Sequence, residues 1–376
     1  MRRLVAWRIL AHEKGRSVLA VGGIFVAVLL IFLELGFYFS VPKGGMLIYD
    51  KLRFDIMLAS SANFFQGQSF EFPRRRLFQA SALPEVIAAA PLYQGSAPWF
   101  NKGSMLRRDV FVMGFNPRDR VFDAADIDRQ IDALKRPNTV LVDEPTRPMF
   151  GAIAPGGHVE IGDREVEIAG TYGLGTGFIG LGVVTTSDLN FIRIFPNRTL
   201  GEVNLGLVTL RRDTDPDRVA AALRAMLPPD TRVFTRAELE RHETAHWVTA
   251  ASTGIVFGFG VVVSVIVGTV ILYQTLSTQI RRQLPQYAAL KAIGYRNHYL
   301  GDVVMILALI LAAIAYVLAV ACALLIYDIV RSATHLPITM TGARLVTVLL
   351  VTLALSAGSA LVSVRGIRRA NPVDLF

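Results

Sequence analysis

Residues 242–246, His242-Glu243-Thr244-Ala245-His246, fit H-E-x-x-H. On a helix this spacing sets two imidazoles on one face to bind zinc, with the glutamate as base. A hydrolytic site of that kind needs a third protein ligand. From Trp247 through Asn297 there is no Asp, Glu or His. Upstream, Glu238 or Glu240 could serve only with an unusual geometry. The competing reading is a polar, solvated helix turn just outside an apolar run, and that reading is preferred. A membrane-bound zinc peptidase stays as the alternative to test. Gly173-Leu174-Gly175-Thr176-Gly177 follows a predicted strand but lacks the lysine and the helix of a phosphate loop, so a flexible turn is expected. No catalytic residue, metal or cofactor is assigned. Any ATP used must be bound by a partner.

The elements that would position such groups are mostly apolar. The 376 residues are 52% hydrophobic, with a mean hydropathy of +0.44. Four runs are each long enough to cross a hydrocarbon core: residues 17–39, 249–276, 303–327 and 345–364. The first follows a basic stretch without a small-x-small cleavage site, so it reads as an uncleaved signal anchor. The single cysteine, Cys322, lies inside the third run, which rules out a disulfide framework within one chain.

Charge supplies the orientation. The formal net charge is +9, yet residues 40–248 hold 25 basic and 25 acidic residues. The excess sits in the short flanks: 1–16, 277–302 and 365–376. The positive-inside rule puts these segments, and both termini, in the cytoplasm. Residues 40–248 and the loop 328–344 then lie on the outer side, as expected for a multi-pass protein of the bacterial inner membrane. A neutral globular part offers no nucleic-acid surface.

The outer domain reads as mixed α/β. Strands are predicted at 54–60, 86–93, 109–115, 139–142, 159–161, 166–172, 182–186, 203–210 and 232–234, and helices at 74–82 and 217–226. Strand–helix–strand units bracket a turn-rich middle, so two subdomains are expected, with about 100–200 inserted in the other. In the spans, Gly254 and Gly258, and Ala354 and Gly358, have the small-x-x-x-small spacing that permits close helix approach, within one chain or between two copies. Glu34 lies inside the first run. It is read as structural, reaching the outer interface or hydrogen-bonding within the bundle.

The loop Arg281–Leu300 has Pro285 where a helix could begin, then Tyr287, Leu290 and Ile293-Gly294 three or four residues apart. Periodicity leaves open whether this surface helix docks a soluble partner or only anchors the loop.

Here the residues resemble a known family. Leu284-Pro285-Gln286-Tyr287-Ala288-Ala289-Leu290-Lys291-Ala292-Ile293-Gly294-Tyr295 is similar to the coupling segment of FtsX-like and MacB-like permeases. The ending Ala370-Asn371-Pro372-Val373-Asp374-Leu375-Phe376 resembles their C-terminal signature. The stretches 32–37, 74–79, 185–196, 203–207 and 271–274 resemble DevC-type permeases of heterocyst glycolipid exporters. The resemblance implies a four-span permease, homodimeric, working with a separate ABC-type ATPase, a periplasmic adaptor and an outer-membrane channel. It exports a lipid, glycolipid or other hydrophobic substrate by relaying motion rather than by forming a wide tunnel. Leu284, Tyr287, Leu290, Lys291, Gly294 and Tyr295 would contact the ATPase. The family pattern lacks the two histidines around Glu243 and carries Gln at position 34. A regulator of a cell-wall hydrolase, as in cell-division FtsX, is the other function compatible with this architecture.

Overall fold

The computed structural model describes residues 14–63, 65, 68–101, 105–146, 148–175, 180–282 and 297–369. The first described element is helix α1 (Lys14–Lys51). A mixed α/β region follows: β1 (Ile56–Ser60), β2 (Phe72–Pro73), α2 (Arg75–Ala80), β3 (Val86–Asn101), β4 (Leu106–Phe115), α3 (Ala125–Gln130), β5 (Thr139–Asp143), β6 (His158–Ile161), β7 (Arg164–Tyr172), β8 (Val183–Ser187), α4 (Asp188–Ile194), β9 (Glu202–Val203), β10 (Leu205–Leu210), α5 (Pro216–Met226), β11 (Thr231–Thr235) and α6 (Arg236–Thr249). Helices α7 (Ser252–Arg282), α8 (Asn297–Thr334) and α9 (Gly342–Arg369) complete it. Two compact units result. One comprises residues 1–40, 252–334 and 338–376; the other comprises residues 41–251 and 335–337.

In the helical unit, four helices are long and apolar enough to cross a membrane: Val18–Lys51, Ser252–Thr278, Gly301–Thr334 and Gly342–Val362. The first outruns the expected 17–39 and carries on through Pro42. Proline removes one backbone donor from a helix interior. The turns beyond it bury Met46, Ile48 and Tyr49, and that apolar burial offsets the lost bond.

The α/β unit is built on one nine-stranded sheet in the order β11-β1-β10-β3-β4-β8-β5-β7-β6. The far end of β3 also pairs with β6, Trp99 opposite Ile161. Strands β3-β4-β8-β5-β7-β6 therefore close into a ring, and β10, β1 and β11 extend from it. Residues of the segment at about 100–200 supply β4 to β8, most of that ring. Along β1, Ile56 and Leu58 join one apolar cluster, while Met57 and Ala59 join another. Val140 and Val142 of β5 divide from Leu141 in the same way. The two cores lie on the two faces of one sheet, as the period-2 geometry of a strand requires. Every residue of β1, β5 and β8 is buried, as strands covered on both faces require.

Candidate functional site: a carboxylate latch in the α/β unit

Helix α6 begins with a capping box. The Thr235 hydroxyl accepts from the Glu238 N–H at 3.4 Å, and the Glu238 carboxylate accepts from the Thr235 N–H at 3.0 Å. Two turns further on lies the motif that the sequence had marked. It is not a solvated turn, for Glu243 is only 1% exposed. One carboxylate oxygen accepts the Tyr49 hydroxyl at 3.3 Å, and the other accepts the Trp247 Nε1–H at 3.2 Å. Tyr49 belongs to the extension of α1 and is 2% exposed. Beneath Trp247 sits Gly45, where a Cβ would collide with the indole. A buried carboxylate thus joins α1 to α6, and a glycine lets the indole lie against the helix backbone.

The flanking histidines are packing groups. His246 stacks on Phe65 with ring centroids 4.3 Å apart, and His242 lies 5.2 Å from the Phe234 ring. Burial, then the neighbouring His242, lower the His246 pKa from its ordinary value. Among the described residues no group of three or more His, Cys, Asp or Glu could hold a metal ion. The glutamate that a peptidase would use as its base is committed to Tyr49 and Trp247. This arrangement can carry force between two helices; it is not arranged to activate water.

A second carboxylate anchors the glycine-rich turn. Asp143 ends β5 and is fully buried. It accepts from the Leu174 N–H at 2.7 Å and from the Gly175 N–H at 3.1 and 3.2 Å. Gly175 has φ +93°, a conformation open to glycine. Burial pushes the Asp143 carboxyl up to about 6, against the opposing pull of the two N–H donors.

In the helical unit, Gly254 is buried and Gly258 packs against Tyr38 of α1. Gly260, two residues on, faces the Glu34 carboxylate, which fills the space a side chain would take. Ala354 and Gly358 are exposed; the buried polar and small residues of α9 are instead Thr352, Ser356, Ser359 and Ala360. Sequence reasoning missed the principal packing stripe, Ala308, Ala312, Ala315, Ala319 and Ala323 of α8, all fully buried. Its signal was present as alanine at every third or fourth position. It also missed Arg344, taken as a loop residue. Arg344 is 6% exposed, donates to the Thr339 carbonyl at 2.8 Å and lies 5.7 Å from the ring centres of both Phe39 and Tyr327. Tyr327 in turn donates to the Phe32 carbonyl of α1. Leu284, Tyr287, Leu290, Lys291, Gly294 and Tyr295, and the ending 370–376, lie outside the described residues.

Among curated proteins none matches the chain significantly. Similar solved structures include the periplasmic region of MacB from Actinobacillus actinomycetemcomitans, with 10% identity and a TM-score of 0.35, covering 50% of this chain and 90% of that one. The extracellular domain of the noncanonic ABC-type transporter YknZ from Gram-positive bacteria has 12% identity and a TM-score of 0.33, covering 48% and 99%. A domain of a putative permease protein from Porphyromonas gingivalis has 12% identity and a TM-score of 0.31, covering 49% and 87%. Residues 258–372, which hold most of α7, all of α8 and α9 and the loop between α7 and α8, match the family described as FtsX-like permease C-terminal.

Proposed function

We propose that this chain is the permease subunit of an ATP-driven exporter, of the DevC type within the FtsX-like and MacB-like permeases. The observation that carries the reading is the family match over residues 258–372, which embraces the spans on both sides of the basic loop. In this reading the protein is a homodimer in the inner membrane, with both termini in the cytoplasm and residues 40–248 in the periplasm. It holds no cofactor; a separate ABC-type ATPase binds ATP and docks on Leu284, Tyr287, Leu290, Lys291, Gly294 and Tyr295. A periplasmic adaptor and an outer-membrane channel complete a tripartite path for a lipid, glycolipid or other hydrophobic cargo.

The chain's own residues suggest how motion would travel. A push on the loop enters α7, which continues after residues 250–251 into α6. Glu243 binds α6 to α1 through Tyr49. The two helices would then move as one stalk, and the sheet they carry would move with them. Gly294→Trp should abolish stimulation of the partner ATPase while leaving membrane insertion intact. Unchanged stimulation would remove the coupling role from this loop. Co-purification of a cell-wall hydrolase in place of an adaptor would replace export with the regulatory reading.

A further inference from the structure

One cleft of the α/β unit takes no part in the latch. It has a volume of about 610 Å³ and opens where α5, β11 and the first turns of α6 meet. Pro228 and Phe234 are among its apolar lining, and three arginines, Arg224, Arg232 and Arg241, line it against one carboxylate, Glu238.

The three arginines differ in their commitments. Arg224 is built in: it pairs with Glu238 and donates to the Val233 carbonyl at 3.2 and 2.8 Å. Arg232 donates to the Asn63 carbonyl at 3.3 Å and lies over Phe234 at 5.9 Å. Arg241 donates to the Ala237 carbonyl of its own helix at 3.3 Å. Among the described residues neither Arg232 nor Arg241 forms an ion pair within 4 Å, although the charge of Arg241 acts on Glu238. Burial pushes Glu238 up, yet the Thr235 N–H and the charges of Arg224 and Arg241 leave it below its ordinary value. Positive potential therefore prevails in the cleft.

We propose that this cleft binds a phosphate group, with Arg232 and Arg241 as its principal ligands and Arg224 as a fixed wall. Planar guanidinium forks match phosphate oxygens bidentately, and a pocket of this volume suits a small polar headgroup. The cleft is less suited to an extended acidic peptide. Such a peptide would add to β11, the edge strand of the sheet, and Arg224 already occupies the outward Val233 carbonyl. The ligand's source is either a phospholipid headgroup or a free phosphate. The inference does not rest on the exporter reading, because its test reads binding and not transport.

The test uses the full chain in nanodiscs of zwitterionic lipid. It is titrated with inorganic phosphate, with monomeric dihexanoyl phosphatidylglycerol and with hexaglutamate, and binding is read by calorimetry. Phosphate-bearing probes should bind, and the double variant Arg232→Gln/Arg241→Gln should weaken them by about tenfold or more, as expected for lost charge-assisted hydrogen bonds. Arg218→Gln, on α5 and paired with Glu85 outside the cleft, should bind like the wild type, and an unfolding midpoint of the double variant equal to that of the wild type separates lost ligands from lost fold. Tighter binding of the glycerolipid than of inorganic phosphate supports a headgroup as the source; equal binding supports a free phosphate. The proposal is overturned if neither phosphate probe binds, if the double variant binds them like the wild type, or if hexaglutamate alone binds.

Discussion

In the α/β unit the side chains that vanish from solvent are large: Trp99, Tyr93, Tyr172, Phe115, Phe150 and Phe191 are all under 2% exposed. In the helical unit α8 buries a stripe of alanines, Ala308, Ala312, Ala315, Ala319 and Ala323, beside Val303, Leu307 and Leu311. The two regions solve different problems. A sheet holds its neighbours at a fixed distance, about 10 Å from the layer it packs on. That gap must be filled, and each large side chain removed from water contributes about 1.5–3 kcal/mol. Helices in lipid gain nothing by hiding leucine from an equally apolar surrounding. They gain by close approach and by hydrogen bonds, which favours small residues at the seam. The α/β unit should therefore be sensitive to deletion, and the helical unit to addition.

The strongest way to break this contrast is to truncate Phe191. Its ring packs on Phe195 at 4.5 Å and on Tyr93 at 5.6 Å, and a Cβ at Gly114 would strike it. Phe191→Ala should cost about 3–5 kcal/mol, read as a fall in the unfolding midpoint of the full chain in detergent. A cost under about 1 kcal/mol would mean that this core collapses freely and does not depend on ring volume.

The latch comes next. Glu243→Ala removes the acceptor shared by the Tyr49 hydroxyl and the Trp247 N–H. Each buried donor so treated costs about 1–3 kcal/mol, so the total should be about 2–6 kcal/mol. Glu243→Gln keeps one acceptor and should recover about half. Amide exchange on α6 should accelerate in the same order. If Glu243→Ala leaves exchange on α6 unchanged, the carboxylate does not tie the two helices together.

Asp143 sharpens the comparison through pH. Its carboxyl, near 3.8 in an ordinary setting, stands at about 6 here because burial disfavours the charge. The native fold thus holds this proton more tightly than the unfolded chain does. The group contributes most to stability at acid pH, and that contribution is lost as pH rises from about 4 to about 6. At about 1.4 kcal/mol per unit, the loss amounts to roughly 2–3 kcal/mol. Asp143→Asn should lack this dependence, so the stability of the wild type relative to the variant should fall over that window and stay flat above it. A difference that rises with pH would show the N–H donors of Leu174 and Gly175 outweighing burial.

Much of this was legible in the residues, and unevenly so. The apolar runs fixed four long helices because about 20 uncharged residues admit few other solutions. The strands of the α/β unit were located to within a few residues where turn signals bounded them; β3 ran eight residues longer than expected, to Asn101. The short helix at 188–194 escaped notice although Ser187 caps it, its hydroxyl accepting from the Asn190 N–H at 3.2 Å. Chain order does not reveal which face of a sheet a residue joins, so the two cores of the α/β unit were not legible. Glu243 was misread for a related reason. Its partner Tyr49 is 194 residues away, beyond the apolar run expected to end at residue 39. The apolar spacing of Met46, Ile48, Tyr49 and Leu52 was the available sign that the helix went on. For Leu284 to Tyr295 only the sequence speaks.

The smallest effects give the finest test of the helical seam. Ala315 is fully buried on α8, whereas Ala354 on α9 is exposed. Both are alanines in apolar helices, and sequence spacing alone favoured the second. Ala315→Leu adds three carbons where no space is left and should cost about 1–3 kcal/mol through displaced neighbours. Ala354→Leu adds the same atoms to an open face and should change the midpoint by less than about 0.5 kcal/mol within one chain. The pair separates two roles for small residues. If Ala354→Leu leaves the unfolding midpoint alone but lowers the dimer fraction in a crosslinking assay, that face meets a second copy. If neither quantity moves, Ala354 and Gly358 simply face lipid, and the alanine stripe of α8 carries the packing of the helical unit.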